Sequence, residues 1–301
     1  MMVRLLILLS LSLSAYAQVP GCTNVDLRNN AGLGAVRTQG SMGWCTSYVA
    51  ADLVGYNIGK KLSAVAVALT YNNTGLFTSL RARWEGRVTG ESGSGWGAQA
   101  LSSAINHDLC LESELPSDDP DRQTYNKLHA ITLLKREFDQ TRSCTRNNLA
   151  TIQRLFPHIS LSEAQVILYY SDINSVHEML AKVNCKHKPV LPRRPWVVRA
   201  YSPLPSVMDA LFDRRKIFGL TYSSTILQDI SQAGKSGKDG HISTVVARRY
   251  NPANRQCEYL VRNSWGPDCG QYDRRLGCEA GNVWVPRPLL LKATSEIVYL
   301  E

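Results

Sequence analysis

The sequence predicts an α+β fold, and three observations carry that reading. Helical signals fill the first half and strand signals the second, without the alternation of a βαβ protein. At 301 residues the chain exceeds one ordinary core and suits two packed lobes. Its 44% hydrophobic and 20% charged residues are those of a globular protein and exclude a disordered or fibrous one.

The N-terminus reads as an export signal. Arg4 gives a positive start, Leu5 to Ser14 form a short apolar stretch, and Ala15-Tyr16-Ala17 is a small-x-small cleavage site. Residues 1–17 are thus expected to be a signal peptide and the mature chain to begin at Gln18, in a secreted, periplasmic or other extracytoplasmic location. No membrane span is expected, because no segment offers the ~18 uninterrupted apolar residues of a membrane helix. Val19-Pro20-Gly21-Cys22 loosely resembles a lipid-attachment box, but the proline and its distance from the apolar run argue against it.

From Gly21 to Gly43 the composition predicts extended chain and loop. A largely buried helix follows over Cys45–Tyr56, small or apolar except for Asp52, with Gly59 and Lys60-Lys61 suiting its end. Gly86 to Gly97 reads as a loop and Ala98 to Asn106 as a short helix. Across 118–188, Leu128, Ile131, Leu134 and Phe138 recur at helical spacing, and Ser160 with Glu163 forms a capping box. Three or four helices are expected there, closed by Pro189, Pro192 and Pro195. Strands are predicted at Ile217–Tyr222, Ile242–Ala247, Tyr259–Arg262 and Asn282–Val285.

The net charge of +9 comes from dispersed basic residues without interleaved aromatics, so no nucleic-acid partner is expected. The eight cysteines lack the C-x-x-C steps of a zinc site, and in an oxidising compartment most should pair. If Cys45 stays a free thiol, one of the other seven is odd; Cys22 is the candidate, free, lipidated or cross-linked. The spacing leaves connectivity open, although Cys269 and Cys278 share one short loop.

One constellation carries chemistry. A thiol attacks a carbonyl only as thiolate, which a helix N-terminus and a neighbouring imidazolium favour. Cys45 stands where a glycine-bearing loop runs into an apolar helix. Its own amide and the side-chain amide of Gln39 can converge on an oxyanion. His241 opens an apolar strand after a flexible loop and is the candidate base; Asn263 can fix its tautomer, shielded by Trp265. Asp52 reads as a buried, hydrogen-bonded acid rather than a site carboxylate. Glu91, Glu112 and Glu114 read as solvated loop acids, and His107, His129, His158, His177 and His187 as structural or solvated. The glycosylation triplet Asn72-Asn73-Thr74 is given no weight.

Val36-Arg37-Thr38-Gln39-Gly40-Ser41-Met42-Gly43-Trp44-Cys45 resembles the nucleophile motif of papain-like cysteine peptidases. Gly240-His241 and Val261-Arg262-Asn263-Ser264-Trp265-Gly266 resemble the other two motifs of that family. Asp26-Leu27-Arg28, Ser94-Gly95-Trp96, Ala100-Leu101 and Glu112-Ser113-Glu114-Leu115-Pro116 add weaker matches, so the likeness covers roughly 24–120 and 200–290.

The resemblance implies a two-lobed papain-like fold for 18–301. Its left lobe would take about 40–190 including the helical insertion 118–188, its right lobe about 18–39 and 195–301. It implies an exported peptidase acting on peptide or protein substrates, with Cys45, His241, Asn263 and Gln39 catalytic. Gly95 and Ser94 would meet the substrate main chain, Ile242 part of an apolar side-chain pocket, and Trp265 the same cleft. No metal or cofactor is implied. Thr46 stands where the family has Trp, Trp44 where it has a small residue, and Met42 where it has a cysteine. The insertion has no counterpart in short members, and no room is left for an inhibitory propeptide. Two other functions stay open: an inactive binding protein of this fold, and a thiol amidase or transpeptidase acting on cell-wall peptides.

Overall fold

Short runs rich in β-branched and aromatic residues, interrupted by Gly, Asn and Pro, pair here into one antiparallel sheet. The computed structural model describes residues 22–40, 44–71, 97–106, 109–118, 126–141, 143, 145–157, 159–169, 185, 189, 191, 198–201, 205–233 and 240–301. Its strands are β1 (Val25–Asp26), β2 (Val198–Tyr201), β3 (Phe218–Ser223), β4 (Gly240–Asn251), β5 (Gln256–Arg262), β6 (Gly277–Glu279), β7 (Asn282–Pro286) and β8 (Thr294–Leu300). They lie in the order β2-β8-β3-β4-β5-β7-β6, with β1 pairing the far end of β4. The four expected strands are present, each with bounds shifted or extended, and β4 is the most extended.

Helix α1 (Cys45–Ile58) forms where expected, and Cys45 through Gly55 are all buried. Such an all-round apolar helix must be covered on every side. It packs on β3, β4 and β8 and against α2 (Ala64–Tyr71) and α3 (Gly97–Asn106). Gly59 ends it in the left-handed region at φ 66°, a conformation glycine adopts without strain. The loop at Gly32 lies directly on the helix backbone, where a Cβ would sit 1.9 Å from the Gly55 carbonyl oxygen.

Within 118–188 lie α4 (Asn126–Thr141), α5 (Arg146–Leu155) and α6 (Leu161–Tyr169), packed on one another. Ile131 and Phe138 are buried and Leu134 partly so, as the helical spacing requires; the side chain of Leu128 lies outside the described residues. The capping box closes in both directions. The Glu163 amide donates to Ser160 Oγ at 3.2 Å, and the Ser160 amide donates to the Glu163 carboxylate at 2.7 Å. Three further short helices, α7 (Pro205–Asp213), α8 (Thr225–Gln228) and α9 (Arg287–Ala293), flank the sheet. The apolar core is continuous from α1 through the sheet and into α4, α5 and α6. Among the described residues no helix is long and apolar enough to cross a membrane.

Two expectations are corrected. Cys22 is bonded to Cys257, because β1 pairs with β4 and β4 with β5, which brings the chain start beside β5. With Cys110–Cys185 and Cys269–Cys278 also bridged and Cys45 a free thiol, the remaining cysteine is Cys144, outside the described residues. Glu112 is not a solvated loop acid. Its carboxylate receives Arg37 at 2.9 Å and the amide of Ser117 at 2.7 Å.

Candidate active site

Two chain segments far apart in sequence make the floor of the site. The stretch Arg37–Gln39 runs antiparallel to Ser264–Gly266. The Gln39 amide donates to the Ser264 carbonyl at 2.7 Å, and the Gly266 amide to the Arg37 carbonyl at 3.1 Å. Ser264 Oγ donates to Gln39 Oε1 at 2.5 Å. Gln39 is thereby held at the loop that leads to Cys45.

Cys45 is the first residue of α1, preceded by Trp44 in the capping position, which makes no side-chain capping bond. The sulphur is buried, 6% exposed, and the backbone amide of Ile242, the residue after His241, is among the groups that act on its protonation. Burial pushes the thiol above its ordinary pKa; the amides of Ile242, Thr46 and Cys45 work the other way by favouring thiolate.

His241 is the second residue of β4, opposite Tyr222 of β3. Its Nε2 lies 2.7 Å from Asn263 Oδ1, and Asn263 directly follows β5 and is fully buried. The ring rests on Trp265, centroids 5.2 Å apart, and receives the Tyr222 ring nearly perpendicular at 5.7 Å. Burial lowers the pKa of the imidazole to about 4, against the opposing effect of the Asn263 bond. Burial thus opposes charge on both Cys45 and His241. One proton passing from sulphur to imidazole would charge both at once.

Of the expected site residues, His241 touches both Asn263 and Trp265, Ile242 follows it in β4, Gln39 is bonded to Ser264 beside Asn263, and Cys45 opens α1. Ser94 and Gly95 lie outside the described residues, as do Glu91, the Asn72 triplet and the side chains of all five other histidines. Ile242 is buried, and its Cδ1 is close enough to Gly97 that a Cβ there would sit 2.6 Å from it.

Sequence reasoning missed the groups behind this front. Ser243 Oγ donates to Asn263 Oδ1 at 3.2 Å, Tyr222 and Ser243 share a hydrogen bond at 2.9 Å, and Asn263 Nδ2 donates to the Tyr272 hydroxyl at 3.3 Å. Ser243 was within reach of sequence argument, since it stands two residues after His241 in a strand and so shares its face. On the opposite face of β4, Thr244 donates to Asp52 of α1 at 3.3 Å. Asp52 also receives Arg37 at 2.8 Å and Arg262 at 2.9 Å, so it is a buried acid in an ionic cluster, not a site carboxylate. Trp44 is 1% exposed and belongs to the main core. Among the described residues no His, Cys, Asp and Glu cluster is arranged to hold a metal.

No protein-family model and no curated protein sequence matches the chain. Among solved structures it is similar to papain-like cysteine proteases at low sequence identity. A cysteine protease of Carica candamarcensis is 13% identical with a TM-score of 0.49, covering 94% of this chain and 98% of that one. The bromelain protease of Ananas comosus is 12% identical with a TM-score of 0.47, covering 94% and 99%. A digestive procathepsin L of the Tenebrio molitor larval midgut is 14% identical with a TM-score of 0.48, covering 94% of this chain and 71% of that one. This distant likeness assigns no role to any residue of the present chain.

Proposed function

We propose that the chain is an exported cysteine peptidase of two-lobed papain-like design, with Cys45 as nucleophile and His241 as its base. The observation that carries the reading is a free thiol at a helix start in a protein that also buries a histidine–asparagine pair. Cys45 is the free, buried thiol that opens α1, and His241 is bonded to Asn263 at 2.7 Å. The leader 1–17 would be removed, and the two lobes would meet along α1.

The chemistry is acyl transfer. Cys45 gives its proton to His241, and the thiolate attacks the peptide carbonyl. The developing oxyanion takes hydrogen bonds from the Cys45 amide and the Gln39 side chain. The imidazolium then protonates the leaving amine, leaving a thioester. His241 next removes a proton from water, which attacks the thioester and frees the acid and the thiol. Asn263 holds the ring throughout, and Trp265 shields that bond from water. Ser94 and Gly95 would pair with the substrate main chain, and Ile242 would line an apolar pocket.

The test is alkylation of the mature chain by iodoacetamide, with mapping of the modified cysteine, beside hydrolysis of denatured casein. Rapid labelling at Cys45 and cleavage of casein, both lost in His241→Ala, with cleavage also lost in Cys45→Ala, are expected. Labelling no faster than an ordinary thiol, with no cleavage, would point to a binding protein of this fold. Cleavage of cell-wall peptides instead of casein would redirect the substrate and keep the mechanism.

A further inference from the structure

Asparagine has two ends, and the site works only if the right one faces His241. With Oδ1 toward the ring, the neutral imidazole carries its proton on Nε2 and leaves Nδ1 basic. With the amide turned over, Nδ2 would face the ring, the proton would move to Nδ1, and the basic nitrogen would be tied up.

The residues behind Asn263 discriminate between the two. Tyr222, Ser243 and Asn263 are each 1% exposed or less, so each hydroxyl hydrogen needs a protein acceptor. Burial raises the Tyr222 pKa, which keeps its phenol a donor. In the observed orientation both hydroxyl hydrogens have a place, Tyr222 donating to Ser243 Oγ and Ser243 to Asn263 Oδ1, while Asn263 Nδ2 donates one of its hydrogens to Tyr272. With the amide turned over, Nδ2 would need Ser243 Oγ as its acceptor. Ser243 could then pass its hydrogen only to Tyr222, stranding the phenol hydrogen, or keep Tyr222 as donor and strand its own. An unmade buried hydroxyl bond is costly enough to make the reversed form the minor one.

We infer that Ser243, backed by Tyr222, is a positioning residue that sets the amide orientation of Asn263 and through it keeps the proton of neutral His241 on Nε2. Neither side chain need touch the substrate. The inference deepens the proposed peptidase reading, while its structural half stands whatever reaction the site performs.

The test is 15N NMR of the mature chain carrying labelled histidine, with the His241 resonances assigned by their loss in His241→Gln. Wild type is expected to show the Nε2–H form. Ser243→Ala is expected to give a mixture with comparable Nδ1–H, and iodoacetamide alkylation of Cys45 slowed about twofold to fivefold. Ser243→Thr, which keeps the hydroxyl, should retain the wild-type pattern. The double variant Ser243→Ala/Tyr222→Phe leaves no stranded hydroxyl and should fold even if the single one does not; it too should show the mixture. Pure Nε2–H in both alanine-bearing variants would overturn the inference. Slow alkylation of wild-type Cys45 would sink the peptidase reading alone, because the tautomer result is read separately.

Discussion

At His241, burial and hydrogen bonding pull in opposite directions, and burial wins. The ring is 8% exposed and its pKa falls to about 4, although Asn263 favours the charged form. In the unfolded chain the same ring titrates near 6.5. Between those values the unfolded state binds the proton and the folded state refuses it, so protons favour unfolding. The stabilising contribution is fully present above pH ~6.5 and is lost as pH falls toward 4, a span of about 3 kcal/mol. Urea unfolding of wild type and His241→Ala across that window should show wild type losing about that much more than the variant. Parallel pH curves for the two would mean that the imidazole is already charged in the folded protein.

Among the elements, helix α6 depends on its capped start as well as on its apolar face. Helix α6 is short, nine residues, and Leu161, Val166 and Tyr169 on it are exposed, so its packing is one-sided. The reciprocal Ser160–Glu163 pair satisfies amides that the first turn leaves without intrahelical partners. Ser160→Ala should therefore cost about 1 kcal/mol in thermal or urea unfolding, and Ser160→Asn much less. Equal loss in both variants would place the effect elsewhere than in the cap.

Across the whole molecule, the ionic cluster under α1 joins parts that local forces do not. Asp52 comes from the helix, Thr244 and Arg262 from neighbouring strands, and Arg37 from the segment that carries Gln39. Arg262 also donates to the carbonyls of Leu33 and Ala35, at 2.9 and 2.7 Å, and Arg37 reaches Glu112 and the Leu62 carbonyl. These charges are dehydrated, so the network stabilises little over an apolar replacement, yet losing one member is expensive. Asp52→Ala leaves two buried guanidinium groups short of an anion and should destabilise by about 3–5 kcal/mol, read as a shifted urea midpoint. A loss below about 1 kcal/mol would mean that water reaches the cluster.

What the sequence determined by itself was local. Gln39, Cys45, His241 and Asn263 stood out because each chemical role needs one residue type in one short context. The Cys45 helix, the Ser160 cap and four strands were legible because propensity, capping and period are set by residues a few positions apart. The tertiary structure decided what depends on distant partners. It seats β8, unforeseen in the sequence, between β2 and β3, although strand-forming Ile297, Val298 and Tyr299 signal it. It bonds Cys22 to Cys257 across 235 residues, turns Glu112 from a loop acid into the partner of Arg37, and brings Tyr222 behind Asn263 through Ser243. Strand order, charge pairing and the matching of buried hydrogens are long-range contacts, and no short window of sequence contains both of their ends.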